Sequence, residues 1–230
     1  MDHKEAMSRL RLARTTYVGP ITCQLLMARY GTAVKALAAI PEISARGGRK
    51  LTPFPADKAR EEWDKLYASG GQFMFRGTAE YPAALEHYDD APFILSVRGH
   101  ASLLQRKGCA IIGARNASLN ACKLAERLGA EIGEGGFTII SGMARGIDAA
   151  AHLGSLKTGT IAVLANGVGI PYPRENAALF SGIAITSILR LAASCAVIRD
   201  PDLTAASIIS TPLASDAIIL LRIGNNFGEG

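Results

Sequence analysis

Three stretches of this 230-residue chain bring glycine, small hydroxyl or amide side chains and an arginine together. They read GARNAS over 113–118, SGMARG over 141–146 and NGVGIPYPREN over 166–176. Glycine lets the main chain come close to a ligand and present its amides, and a guanidinium adds a planar fork of donors suited to phosphate oxygens. Arg115, Arg145 and Arg174 beside three sets of amides would make a surface for several phosphates, or for one phosphodiester chain. The candidate phosphate contacts are Gly113, Ala114, Arg115, Asn116 and Ser118 in the first stretch. Ser141, Gly142, Met143, Ala144, Arg145 and Gly146 supply the second, and Arg174 and Asn176 the third.

Other chemistries fit these residues less well. A dinucleotide site would want G-x-G-x-x-G in the first stretch and an acid where the second begins at Ser141, and neither is there. No G-x-x-x-x-G-K-[ST] occurs, which argues against a P-loop nucleotidase. The four cysteines form no C-x-x-C and have no histidine at ligand spacing, so no metal is expected. No cofactor is expected either. Asp148 and His152 stand four apart, on one face of a helix, with Asp148 where the helix dipole favours negative charge. Their expected role is structural: Asp148 braces the second loop and His152 bonds to it or to a neighbouring strand.

The elements that would position these stretches recur as one unit. Cys109–Ile112 is an apolar run ending at Gly113. Leu124, Leu128 and Ile132 then repeat every four residues along one helix face until Gly135-Gly136. Phe137–Ile140 repeats the run, Ile147–Leu156 the helix, and Thr160–Ala165 gives a third strand. Strands apolar throughout are covered on both faces, and connections of this length carry a helix, so the unit predicts a doubly wound α/β fold with a parallel sheet. In such a sheet ligands bind at the carboxyl ends of the strands, where all three stretches fall.

Upstream, residues 1–46 read as a small helical domain. Pro20 stands just inside a helix start and Gly31 just past its end. The helix, tight V-G-P hairpin and helix have the shape of domains that touch a DNA backbone. Arg9, Arg11 and Arg14 lie nearby; the alternative is an appendage with a solvated basic face. Residues 47–70, with GGRKLTPFPADK and a helix around Glu61–Tyr67, read as a linker, and Phe93–Val97 as a strand leading into a main domain over 71–230.

The bulk numbers agree with a globular protein that meets phosphates. Lys and Arg number 25 against 20 Asp and Glu, for a net charge of +5. The first residues lack the apolar core of a signal peptide, and the apolar run over 177–198 is broken by Arg190, so it reads as core rather than membrane. No membrane association and a reducing cytoplasm are expected.

With these motifs in hand, the chain resembles the DprA/Smf family of bacterial DNA-processing proteins. AIIGARNAS is similar to the family's first phosphate loop, GFTIISGMARGIDAAAH to its most recognisable signature, and GTIAVLANGVGIPYPREN to its third strand and Y-P-x-x-N turn. YPAALEHYDDAPFILSVRG resembles the lead-in, and VGPITCQLLMARYG the N-terminal domain of the helix-hairpin-helix or SAM type. The resemblance covers about residues 8–180. It implies a Rossmann-like, non-enzymatic protein that binds single-stranded DNA, protects incoming strands, and loads the RecA recombinase during natural transformation as a homodimer. Carried over, Gly113 and Arg115 match the family's G-[SA]-R loop, Ser141, Gly142, Arg145, Gly146 and Asp148 its second loop, and Arg174 the basic position of the turn. Asp148, His152, Tyr172 and Pro173 would support these contacts. Residues 177–230 are atypical, lacking the family's S-E dipeptide and F-P-x-R-N-R segment; a tail that failed to complete the sheet would leave an open apolar edge. The competing reading is a nucleotide-processing enzyme of the related LOG type, an N-glycosidic hydrolase, with Asp148 or Glu175 as its carboxylate; the P-G-G-x-G-T loop of that class is absent.

Overall fold

A computed structural model describes residues 1–46, 50–164, 170–191 and 219–223. The first part of the third stretch, 166–169, and tail residues 192–218 and 224–230 lie outside the described residues. The chain divides into two compact units between Ser96 and Val97.

The first unit begins with α1 (His3–Arg14), α2 (Pro20–Tyr30) and α3 (Ala33–Arg46). Asp2 starts α1 by accepting the Glu5 amide at 2.7 Å, and Pro20 and Gly31 bracket α2 as expected. The Glu5 carboxylate reaches across to cap α3, accepting from the amides of Ala33 at 2.9 Å and Val34 at 3.3 Å. Leu10, Leu12 and Ile40 are fully buried between these helices. The unit continues through α4 (Ala56–Ala68), β1 (Gly71–Phe75), the short α5 (Ala83–Glu86) and the start of β2 (Ile94–Gly99).

The first compact unit runs on past the 47–70 stretch to Ser96, and α1 is fastened to residues on the far side of that stretch and within it. Arg11 donates to the Phe54 carbonyl at 2.8 Å, Arg9 to the Arg76 carbonyl at 3.1 Å, and Arg14 grips the Glu62 carboxylate with Nη2 at 2.7 Å and Nε at 3.0 Å. These same bonds turn Arg9, Arg11 and Arg14 inward, so they form neither a DNA-facing patch nor a solvated basic face.

The second unit holds β3 (Gly108–Gly113), α6 (Leu119–Glu134), β4 (Thr138–Ser141), α7 (Ile147–Ser155), β5 (Thr160–Leu164), α8 (Ala177–Thr186), β6 (Ser187–Leu191) and β7 (Ile219–Ile223). Its strands lie in the order β6-β5-β4-β3-β7. Every pair is parallel: Cys109 faces Ile139, Ile140 faces Ile161, Ile161 faces Ser187, and Cys109 faces Ile219 on its other side. Strands three to six step outward in one direction, and β7 returns to the opposite side of β3, which is the doubly wound pattern. A tail strand therefore covers the flank of β3, and 177–191 supply α8 and β6 rather than a membrane span. Among the described residues no helix is long and apolar enough to cross a membrane.

Cys109, Ile111, Ile139, Ile147 and Ala151 form the core between sheet and helices. The face of α6 that is fully buried is not the expected Leu124, Leu128, Ile132 row but Ala125, Gly129 and Gly133. The reason is close approach of α7: a Cβ on Gly129 would meet the Ala151 carbonyl oxygen at 2.5 Å. Leu128 and Ile132 flank this contact, half-buried.

Candidate functional site

The three glycine and arginine loops leave the same end of the sheet and touch one another. The first joins β3 to α6, whose first turn is capped by Ser118, its hydroxyl accepting the Ala121 amide at 3.2 Å. The second joins β4 to α7 and packs on the first: the Ile147 amide donates to the Ala114 carbonyl at 3.3 Å. Gly146 makes that approach possible. Its φ is +75° and a Cβ there would lie 2.8 Å from the Arg115 carbonyl oxygen, a place and a conformation open only to glycine. The third loop docks on the second through Asn176, whose Nδ2 donates to the Met143 carbonyl at 3.0 Å. Arg145 reaches back, its Nη1 3.9 Å from Glu175 Oε1.

Arg115, Arg145 and Arg174 are all exposed, as are Asn116 and Ser118. The Arg145–Glu175 pair is itself more than half exposed on both sides, so it is weak and readily exchanged for another anion. Glu175 was not among the residues expected to contact Arg145; its position next to Arg174 was the available signal.

Beneath this surface lies Asp148, in the first turn of α7 and buried. Its Oδ2 accepts from the Ala144 amide at 3.3 Å. The amides of Gly113 and Gly142 are also directed at the carboxylate, and the Ser141 hydroxyl, which donates to the Ile111 carbonyl at 2.7 Å, stands beside it. Burial raises the Asp148 carboxyl above its usual range, against the opposing pull of those amide bonds. The expected bracing role of Asp148 thus extends to both loops at once. It also changes the part played by several candidates: the amides of Gly113, Gly142 and Ala144 face inward to a carboxylate rather than outward to a ligand.

Other candidates are likewise scaffold by geometry. Met143 is fully buried with a left-handed φ of 64°, its carbonyl held by Asn176. Ser141 is buried and bonded within the sheet. His152 is completely buried; its Nδ1 lies 2.7 Å from Thr160 Oγ1, and the Ser141 main chain lies close to the ring, although Nε2 makes no hydrogen bond of good geometry. Burial pushes the imidazole down to about 3, so it is neutral at physiological pH. Pro173 accepts the Asn176 amide at 3.1 Å and so supports the turn. Tyr172, expected in the same supporting role, is instead 69% exposed.

Fold and loops together define a doubly wound, Rossmann-like protein in which three contiguous loops at one end of the sheet expose three arginines. Among the described residues no cluster of His, Cys, Asp or Glu could hold a metal ion. Residues 72–194 match the family described as DNA recombination-mediator protein A, and residues 3–64 match the DprA-like N-terminal HHH domain. The chain belongs to the DprA/Smf family of DNA recombination mediators. The first of these matches ends at residue 194.

The DNA processing protein DprA of Streptococcus pneumoniae is 38% identical over 98 residues, 42% of this chain and 34% of that protein. Its Bacillus subtilis counterpart is 36% identical over 113 residues, 48% of this chain and 38% of that protein. The matched part is therefore little more than a third of those relatives' length. The X-ray structure of the Streptococcus pneumoniae protein aligns with 84% of this chain and 68% of its own, at a TM-score of 0.60 and 25% identity.

Proposed function

We propose that this chain binds single-stranded DNA along the three-loop rim and serves, without catalysing a covalent step, to protect incoming strands and load the RecA recombinase during natural transformation, acting as a homodimer in the cytoplasm. The observation that carries the binding reading is the contiguity of the loops, with Arg115, Arg145 and Arg174 exposed on one end of the sheet. The phosphates would be held by these guanidinium groups, with Asn116, Ser118 and the remaining main chain of the first loop beside them. The amides of Gly113, Gly142 and Ala144 would contribute indirectly, by fixing the loops on Asp148. Such contacts position a backbone and carry little sequence information, so binding would be sequence-tolerant and salt-sensitive. The recombinase and dimer roles draw on family membership.

The hydrolase reading has less behind it. Asp148 is buried among loop amides, and Glu175 is exposed beside Arg145. Incubation with nucleoside monophosphates, followed by chromatography, is expected to release no base; release that Asp148→Asn abolishes would reverse the choice.

For DNA binding, the test is titration of a labelled oligonucleotide over a salt series. Each of Arg115→Ala and Arg174→Ala is expected to weaken binding alike for all sequences and to lower the slope of log K against log salt by about 0.7, the counterion share of one single-strand phosphate. A double variant that binds as tightly as the parent at low and high salt would refute the assignment.

A further inference from the structure

Arginine contacts alone leave a question of selectivity. A duplex offers phosphates as a single strand does, so three guanidinium groups on a rim recognise nucleic acid without distinguishing its two forms. What an unpaired strand offers in addition is the open face of each base, and the side chain that reads such a face is an exposed aromatic ring beside the backbone path.

Among the described residues of the second unit there are three aromatic side chains, and they differ sharply. Phe180 is buried in the core, Phe137 is half-buried against it, and Tyr172 is 69% exposed with no ring or hydrogen-bond partner among the described residues. Tyr172 is also held at the rim. It lies two residues before Arg174 in the chain. The turn that carries it is fastened at its far end: Asn176 bonds through its amide to the Pro173 carbonyl at 3.1 Å and through its side chain to the second loop at 3.0 Å. Pro173, directly after Tyr172, restricts the backbone further. A large ring kept in water on a fastened turn loses little conformational freedom when something stacks on it. Ile170, two residues earlier in the chain, is also exposed, at 59%.

We infer that Tyr172 is a base-stacking residue of the rim and the group by which it favours an unpaired strand over a duplex, the phosphate of the same nucleotide lying toward Arg174. This rests on the reading of the loops as a DNA site. Because Tyr172 is exposed, its replacement leaves the fold intact, and stacking separates cleanly from phosphate binding.

The test compares the parent with Tyr172→Ala and Tyr172→Phe on three labelled ligands: a thymidine oligonucleotide, an abasic oligonucleotide of equal length, and a duplex. Tyr172→Ala is expected to weaken the thymidine oligonucleotide about tenfold, within the range of one base–aromatic stack, at unchanged salt slope. Tyr172→Phe, which keeps the ring face, binds like the parent. Neither change alters affinity for the abasic strand or the duplex. Equal affinity of Tyr172→Ala and parent for the thymidine strand overturns the stacking role. An equal loss on the abasic strand overturns it too, showing that the residue supports the turn. So does normal DNA binding with lost self-association, which assigns Tyr172 to a protein contact. If the parent binds none of the three ligands, the site reading itself fails, a different outcome from failure of Tyr172 alone.

Discussion

His152 should make the second unit sensitive to acid by an amount the structure sets. The imidazole is fully buried and lies about 3, against 6.5 for an ordinary histidine. In an unfolded chain it takes up its proton as pH falls through 6.5, whereas the native protein resists until near 3. Its contribution to stability is therefore complete above pH 6.5 and is lost as the pH drops toward the native value. Integrated between pH 7 and pH 4, that difference amounts to about 3 kcal/mol. Asp148 acts in the opposite sense, because its carboxyl is raised and the native state takes up that proton first. The effect of His152 is isolated by comparison with His152→Asn, which is less stable at pH 7 but carries no titrating ring. Urea unfolding of both proteins at pH 7, 5 and 4 gives the measurement. The parent should lose about 3 kcal/mol more than the variant over that interval. Equal losses in the two proteins would mean that the ring is already protonated in the native state or reached by water, and the reasoning from burial would be refuted.

Asp148→Ala removes the acceptor shared by the amides of Gly113, Gly142 and Ala144; a loss of about 3 kcal/mol in urea stability is expected from donors left unpaired. Asp148→Asn, which keeps one acceptor oxygen, should lose less, and the reverse order would disprove the bracing role. Gly146→Ala forces a side chain into the Arg115 carbonyl at a positive φ. It should lower stability by about 2 kcal/mol or more and weaken oligonucleotide binding even though no arginine is touched; unchanged melting and binding would show that the two loops are not packed together.

The strand, turn and helix repeat from Cys109 to Leu164 was legible because parallel strands buried on both faces leave continuous apolar runs, and the loops between them fall at predictable ends. That pattern locates the loops but not the direction of each donor within them. Nothing in SGMARG distinguishes an amide that faces solvent from one that faces Asp148, and the sequestering of Gly113 depends on a carboxylate 35 residues away in the first turn of α7. The arginines of α1 failed as a surface for the same reason: Glu62, Phe54 and Arg76 are separated from their partners by 48, 43 and 67 residues. The helix face of α6 misled because leucine spacing advertises burial, while the tightest contact there needs the absence of side chains. Asn176 and Met143 were recognised as site residues, but only the docking of one loop on the other explains why both are there.

The inward-facing amides of the second loop bear on how a polyanion would move. A ring of free donors is a mould that pins one phosphate in one place. Here the mould is already filled by the protein's own carboxylate, and what projects is the flexible arm of Arg145. A guanidinium without a socket holds each passing phosphodiester about as well as the next, so a strand could be drawn across this part of the rim with low friction.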